Sequence, residues 1–103
     1  MIKQNIVFVE NKAGSLKRVT NILANNDINI YGFACFDAPE FAIFRMICND
    51  PDKAEIILNQ SGYMNRITQA IVVDMKDQVG GLDELLKVLA DSNVSLDYIY
   101  TSF

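Results

Sequence analysis

The chain repeats part of itself at a fixed spacing of 66 residues, and this feature limits its folds more than any other. Residues 9–33 align without a gap with residues 75–99. Seven aligned positions are apolar in both copies, and four are identical: Gly14 and Gly80, Leu16 and Leu82, Leu23 and Leu89, Ala24 and Ala90. Because these matches follow helical and strand periodicities, we predict an internal structural repeat.

The first copy and the residues after it predict six elements in a recognisable order. Apolar, β-branched and aromatic residues predict strands over 2–9, 28–36, 41–48 and 64–75. A helical apolar period predicts a helix over 15–26. A second helix is expected to begin at Asp50-Pro51, an N-cap followed by proline, and to end at Gly62. The order β-α-β-β-α-β is the ferredoxin-like pattern, so we predict an α+β fold with one complete domain over 1–70.

The second copy is too short to form a domain of this kind. Residues 71–103 predict a strand, a helix and a strand, with no hairpin arm and no second helix. One helix over two strands leaves most of its apolar surface in water. We therefore expect an incomplete βαβ repeat, completed by the first domain, by another chain or by a longer version of the same chain.

The two strands of the predicted hairpin carry apolar side chains on both faces. With the polar loop 37–40 between them, Phe36 is expected to face Phe41. In this register Cys35 and Cys48 lie roughly 20 Å apart, too far for a disulfide, and are expected to fill the core. Helices can cover only one sheet face, so we predict a homo-oligomer, most simply a dimer, that buries the other face or a sheet edge.

Composition excludes several functions. Nine basic and thirteen acidic residues give a net charge of −4, which disfavours binding to nucleic acid or anionic membranes. The chain has no histidine, so we expect no catalytic centre, no metal site and no cofactor. No segment is typical of a signal peptide or a membrane span, which favours a cytoplasmic protein. An RNA-recognition module shares the element order, but it needs a basic surface around its aromatic residues.

The loop between the first strand and the first helix is the strongest candidate for a ligand site. Gly14 allows close backbone approach, and the N–H groups around Ala13, Ser15 and Leu16 at a helix N-terminus favour a carboxylate or phosphate. Asn11 offers both a donor and an acceptor beside them. Asn29 could reach the same loop from a neighbouring subunit. In the alternative interpretation, Gly14 only makes the turn and Asn11 caps it.

Two segments of the sequence resemble the ACT domain, a small regulatory module that binds amino acids. They are V-E-N-K-A-G-S-L followed by I-L-A-N-N-D-I-N-I, and D-Q-V-G-G-L followed by D-S-N-V-S-L-D-Y-I-Y. Ala13 and Val79 stand where the family usually has proline, and Asp27 and Asn93 stand where it often has glycine. The whole chain is similar to a stand-alone tandem ACT protein whose second domain is incomplete.

The resemblance implies a ligand and a set of contacts. ACT domains bind amino acids at interfaces between paired domains, and some regulate a partner enzyme. The ligand-contacting asparagines of some members match Asn11 and Asn29, and the family glycine matches Gly14 and Gly80. In the second repeat, the positions of the two asparagines are held by Asp77 and Ser95. The alternative is an ACT-like oligomerisation or scaffold module that binds no small molecule.

Overall fold

A four-stranded antiparallel sheet with two helices on one face forms the first repeat. The computed structural model describes residues 1–75 and 77–101. In chain order the elements are β1 (Ile2–Glu10), α1 (Ser15–Asn25), β2 (Ile30–Asp37), β3 (Phe41–Cys48), α2 (Pro51–Gln60), β4 (Asn65–Ala70) and α3 (Gly81–Asp91). The strand order is β2-β3-β1-β4. The predicted α+β, ferredoxin-like fold is therefore confirmed.

The core lies between the sheet and the two helices α1 and α2. Alternate residues of β1 and β3 point toward the helices, which contribute an apolar stripe at helical spacing. The fully buried side chains include Val7, Phe44, Met46, Val19, Leu23, Ala54 and Leu58. Helix α2 begins as predicted, because Asp50 accepts a hydrogen bond from the Lys53 amide at 3.2 Å and Pro51 follows it.

The β2–β3 hairpin is tighter than predicted. Phe36 faces Ile43, not Phe41, and the Ala38 amide donates to the Phe41 carbonyl at 2.9 Å. The turn therefore contains only residues 39 and 40. Pro39 suits this turn, since proline fits the first central position of a β-turn. Both cysteines are free. Cys48 is buried as expected, whereas the expectation that Cys35 fills the core is wrong, because this residue is exposed.

Strand β4 is shorter than the predicted strand 64–75. It ends at Ala70, which pairs with Ile2, the first residue of β1. The apolar residues that follow have no strand beside them and are exposed; they are Ile71, Val72 and Val73. A strand needs a partner for its backbone groups, so β4 stops where β1 begins.

The second repeat forms its helix but, in the part of the chain that the structure describes, neither of its predicted strands. Residues 71–75 and 92–101 lie outside the sheet. The apolar stripe of α3 is largely exposed, with 49% of Leu82 and 61% of Val88 accessible. Lys76, Ser102 and Phe103 also belong to the predicted repeat and lie outside the described residues.

Backbone geometry confirms the internal repeat. Gly14 and Gly80 have φ of 83° and 84°, and Asp27 and Asn93 have φ of 59° and 58°. The hydrogen bonds after the helices also match at the 66-residue spacing: Ile28 N to Leu23 O is 3.0 Å, and Val94 N to Leu89 O is 2.9 Å. The main chain therefore repeats more closely than the side chains do.

A segment of the second repeat covers part of the helix-free face of the sheet. We call residues 98–101 the strap. The Gln4 side chain, which is 0% exposed, donates to the Tyr98 hydroxyl, and the Tyr100 hydroxyl donates to Gln4 Oε1 at 2.6 Å. Arg45 lies over the Tyr98 ring, with its Cζ 3.8 Å from the ring centroid, in a cation–π contact. The chain itself therefore covers the middle of this face.

The two tyrosines of the strap occupy positions that hold small residues in the first repeat. At the 66-residue spacing, Tyr98 aligns with Gly32 and Tyr100 aligns with Ala34. In β2, Ala34 faces Arg45 across the ladder, so this small residue belongs to the helix-free face. The second copy therefore has large side chains at two positions where it contacts the first repeat, and the first copy has small ones at the aligned positions.

Candidate functional site

The turn before α1 needs glycine for its backbone conformation. A Cβ atom built on Gly14 would meet nothing within 4 Å, so close approach to another part of the protein is not the reason. The left-handed φ of 83° is the reason. The Ser15 amide donates to the Lys12 carbonyl at 3.2 Å. The amides of Leu16 and Lys17 have no acceptor inside the helix, and both belong to its first turn.

The Asn11 side chain does not cap this helix. Its amide group donates to a carboxylate oxygen of Asp37, and no side chain caps α1. The predicted capping role, offered as the alternative to ligand binding, is therefore wrong. Sequence analysis did not single out Asp37 because the predicted hairpin placed it in the loop. The structure instead places Asp37 in β2, where it faces Ala42. Its role depends on this strand register, which the sequence pattern did not predict.

The charges next to Asn11 are locally paired. Lys12 lies 2.8 Å from the Glu10 carboxylate, and both side chains are exposed. Hydrogen bonding and attraction from Lys12 lower the pKa of Glu10 from its ordinary value. Glu10 is therefore a carboxylate at neutral pH, and its charge is balanced within the loop itself.

Asn29 lies at the opposite end of the sheet from Asn11. Strands β1 and β2 both run antiparallel to β3, so the end of β1 lies near the end of β2 and far from its start. Asn29 precedes β2, roughly 26 Å along the strand from Asp37. The backbone N–H of Asn29 donates to Asn49 Oδ1 at 2.8 Å. One chain does not bring Asn11 and Asn29 together.

The equivalent loop of the second repeat has different chemistry. Gly80 repeats the left-handed turn, and Asp77 is exposed beside it. The first turn of α3 carries two acidic residues, Asp83 and Glu84, whereas that of α1 carries none. These carboxylates already balance the positive end of the α3 dipole. Binding of an anionic ligand group is therefore less favourable at the N-terminus of α3 than at that of α1.

A groove of about 460 Å³ lies between α1 and the edge strand β2. Its walls are mainly apolar, and the strap contributes one residue to them. The lining residues used below are Leu16, Thr20, Ile30, Phe33, Phe44 and Thr101. Phe33 is 60% exposed and its ring centroid lies 6.0 Å from that of Phe44. Sequence analysis did not identify this groove, because Thr101 reaches it only through tertiary packing.

Two further features concern the described residues alone. Within residues 1–75 and 77–101, no three cysteine, aspartate or glutamate side chains are grouped so that they could hold a metal ion. None of the helices in the same ranges is long and apolar enough to cross a membrane.

The chain matches one family model and is similar to a solved structure. Residues 1–103 match the family described as the ACT domain pair. The crystal structure of protein BT0572 from Bacteroides thetaiotaomicron is similar, with a TM-score of 0.91 and 33% sequence identity over 96% of this chain and 69% of that chain. No curated protein matches.

The chain belongs to the ACT domain pair family. Members of this family are regulatory, ligand-sensing modules, and the ACT domain is not a catalytic domain. The predicted tandem ACT relationship is confirmed.

Proposed function

We propose that this protein is a regulatory module that binds a free α-amino acid at the loop between β1 and α1. The observation that carries this proposal is the contact between the Asp37 carboxylate and Asn11, a residue of the loop that leads into α1. The first amides of α1 have no acceptor within the helix. An α-amino acid carries an ammonium group and a carboxylate on one carbon, which complements this pair of opposite polarities.

Each polar group has a role in this proposal. The Asp37 carboxylate accepts a hydrogen bond from the ligand ammonium, and Asn11 orients that carboxylate. The amides of Leu16 and Lys17, with the loop from Ala13 to Ser15, face the ligand carboxylate at the positive end of the α1 dipole. Asn29 takes part only if a second chain brings its sheet end to this loop.

A thermal-shift screen against the twenty amino acids tests the proposal first, because a ligand that binds only the folded state raises its stability. Calorimetry with the best ligand then compares four variants. Asn11→Ala removes the hydrogen bond that orients Asp37 and should weaken binding about tenfold, since the loss of a hydrogen bond to a charged group costs about 1–3 kcal/mol. Asp37→Asn removes the negative charge and should weaken binding at least as much.

Asp77→Ala is the matched control, because Asp77 aligns with Asn11 in the second repeat. It should leave the affinity unchanged. If Asn11→Ala and Asp37→Asn both bind as tightly as the original chain, the ligand lies elsewhere. Weaker binding in Asn29→Ala would show that a second chain contributes to the site.

The second candidate function is an assembly or scaffold module that binds no small molecule and regulates a partner enzyme. The observation in its favour is the exposed apolar surface of the second repeat, where Leu82, Leu86 and Val88 of α3 face solvent. A screen in which none of the twenty amino acids raises the melting temperature would favour this candidate.

A further inference from the structure

The groove between α1 and β2 has a volume typical of a small-molecule site, and its walls are mainly apolar. Its volume of about 460 Å³ falls in the usual range for such sites, roughly 300–1,000 Å³. Leu16, Ile30, Phe33 and Phe44 give it apolar walls, and the side-chain hydroxyl groups among its lining residues are those of Thr20, Tyr31 and Thr101. Polar ligand atoms would lose hydration there without gaining many hydrogen bonds.

Phe33 is the most exposed large apolar side chain of the groove. Its ring lies on an edge strand, is 60% exposed and packs against the Phe44 ring at a centroid distance of 6.0 Å. An apolar group placed on its free side would remove both the ring and itself from water. A ligand with a large apolar side chain therefore gains more in this groove than one with a polar side chain.

The groove and the proposed amino-acid site lie along the same face of β2. Phe33, Cys35 and Asp37 alternate onto the same face of the strand, because side chains repeat every second residue. Asp37 contacts Asn11 at one end of this row, and Phe33 lines the groove at the other. The proposed ammonium acceptor and the apolar groove therefore lie on the same side of one strand.

The second repeat supplies part of the groove wall. Thr101 lines the groove, and the two preceding tyrosine positions of the strap are held on the helix-free face by Gln4 and Arg45. Gln4 is fully buried beneath these contacts. The strap therefore joins a buried polar network on one side of the sheet to a groove at its edge.

We propose that this groove, walled by both repeats, selects amino acids with a large apolar side chain such as leucine or phenylalanine. The inference rests on the proposed function and deepens it, because it assigns the ligand side chain to the groove. In this proposal Tyr100 is a positioning residue, because its hydrogen bond to Gln4 holds the neighbouring Thr101 at the groove wall.

The first test compares ligands by calorimetry on the full chain. L-Leucine and L-phenylalanine should bind at least tenfold more tightly than L-serine and L-aspartate, since burial of several apolar carbons gives a difference of this order. Tighter binding of the polar pair would overturn the inference and leave the proposed function intact. Failure of all four, and of the wider screen, would overturn the proposed function itself.

The second test uses the exposed thiol of Cys35 as a reporter of position. This thiol lies between Phe33 and Asp37 on their face of β2, whereas Cys48 is buried and serves as the internal control. Saturating L-phenylalanine should slow modification of Cys35 by a thiol reagent severalfold and leave Cys48 unchanged. An unaltered Cys35 rate at saturation would overturn the placement of the ligand in the groove.

The third test addresses the strap. Tyr100→Phe removes only the hydroxyl that donates to Gln4, and it should weaken L-phenylalanine binding about fivefold or more. Tyr63→Phe makes the same change in a half-buried tyrosine beside the core of the first repeat and should bind normally. Thr101→Ala should also weaken binding. Full affinity in both Tyr100→Phe and Thr101→Ala would overturn the role of the strap.

Discussion

At the residue scale, the most strongly constrained positions are those with a left-handed backbone. Gly14 and Gly80 open helices at the same φ, and Asp27 and Asn93 follow those helices at another shared φ. Aspartate and asparagine tolerate this region better than other non-glycine residues, which explains why both replace the glycine common in the family. The glycines of the two loops could be identified from sequence, but Asp37 could not, since its role depends on strand register.

The matched glycines give the first prediction. Gly14→Ala should lower the free energy of unfolding by about 1–2 kcal/mol, the usual cost of a left-handed conformation for an L-residue. Gly14→Asn should cost less, because asparagine tolerates this region. Urea unfolding with a shared m-value measures both effects. Equal losses for alanine and asparagine would show that space, and not φ, limits the site.

At the element scale, α1 and α3 show that the burial of an apolar helix stripe depends on the elements that pack against it. Both helices carry an apolar stripe at the same spacing, but Val19 and Leu23 of α1 are fully buried whereas the aligned Leu85 and Leu89 of α3 are only half-buried. The helical periods, caps and turns were predictable because they depend on nearby residues. The hairpin register, the end of β4 and the missing strands of the second repeat were not, because strand pairing depends on distant residues.

The second prediction concerns the second repeat in isolation. A peptide of residues 71–103 should be unstructured or aggregated, because one helix with its apolar face in water buries too little to offset the loss of chain entropy. Circular dichroism during heating is the measurement, and residues 1–70 are the comparison. A cooperative thermal transition of the peptide 71–103 would contradict this expectation.

At the scale of the whole molecule, the strap leaves one end of the helix-free face open. Phe36 is 45% exposed and Phe41 is 37% exposed, and the Phe41 ring meets Phe8 edge to face at a centroid distance of 5.5 Å. Phe36 lies on the edge strand β2, and Phe41 lies on the neighbouring strand β3. The outer backbone groups of β2 have no strand partner in the sheet. Aromatic surface next to an open edge favours contact with a second chain.

The third prediction is therefore a dimer formed through this open end. Light scattering at micromolar concentration should give about twice the 11.6 kDa mass of one chain. The double variant Phe36→Lys, Phe41→Lys should shift the protein toward the monomer. Ile56→Lys, at an exposed site on α2, should not. A monomeric mass for the original chain would contradict the prediction.

The two copies are not interchangeable, because Tyr98 is much larger than the aligned Gly32 and Tyr100 is much larger than the aligned Ala34. The tyrosines of the second copy contact Gln4 and Arg45 of the first, and the glycine and alanine aligned with them are too small to make these contacts. The double variant Tyr98→Gly, Tyr100→Ala, which carries the residues of the first repeat at these positions, should therefore lose the strap contacts. The order of the two copies along the chain has become part of their packing.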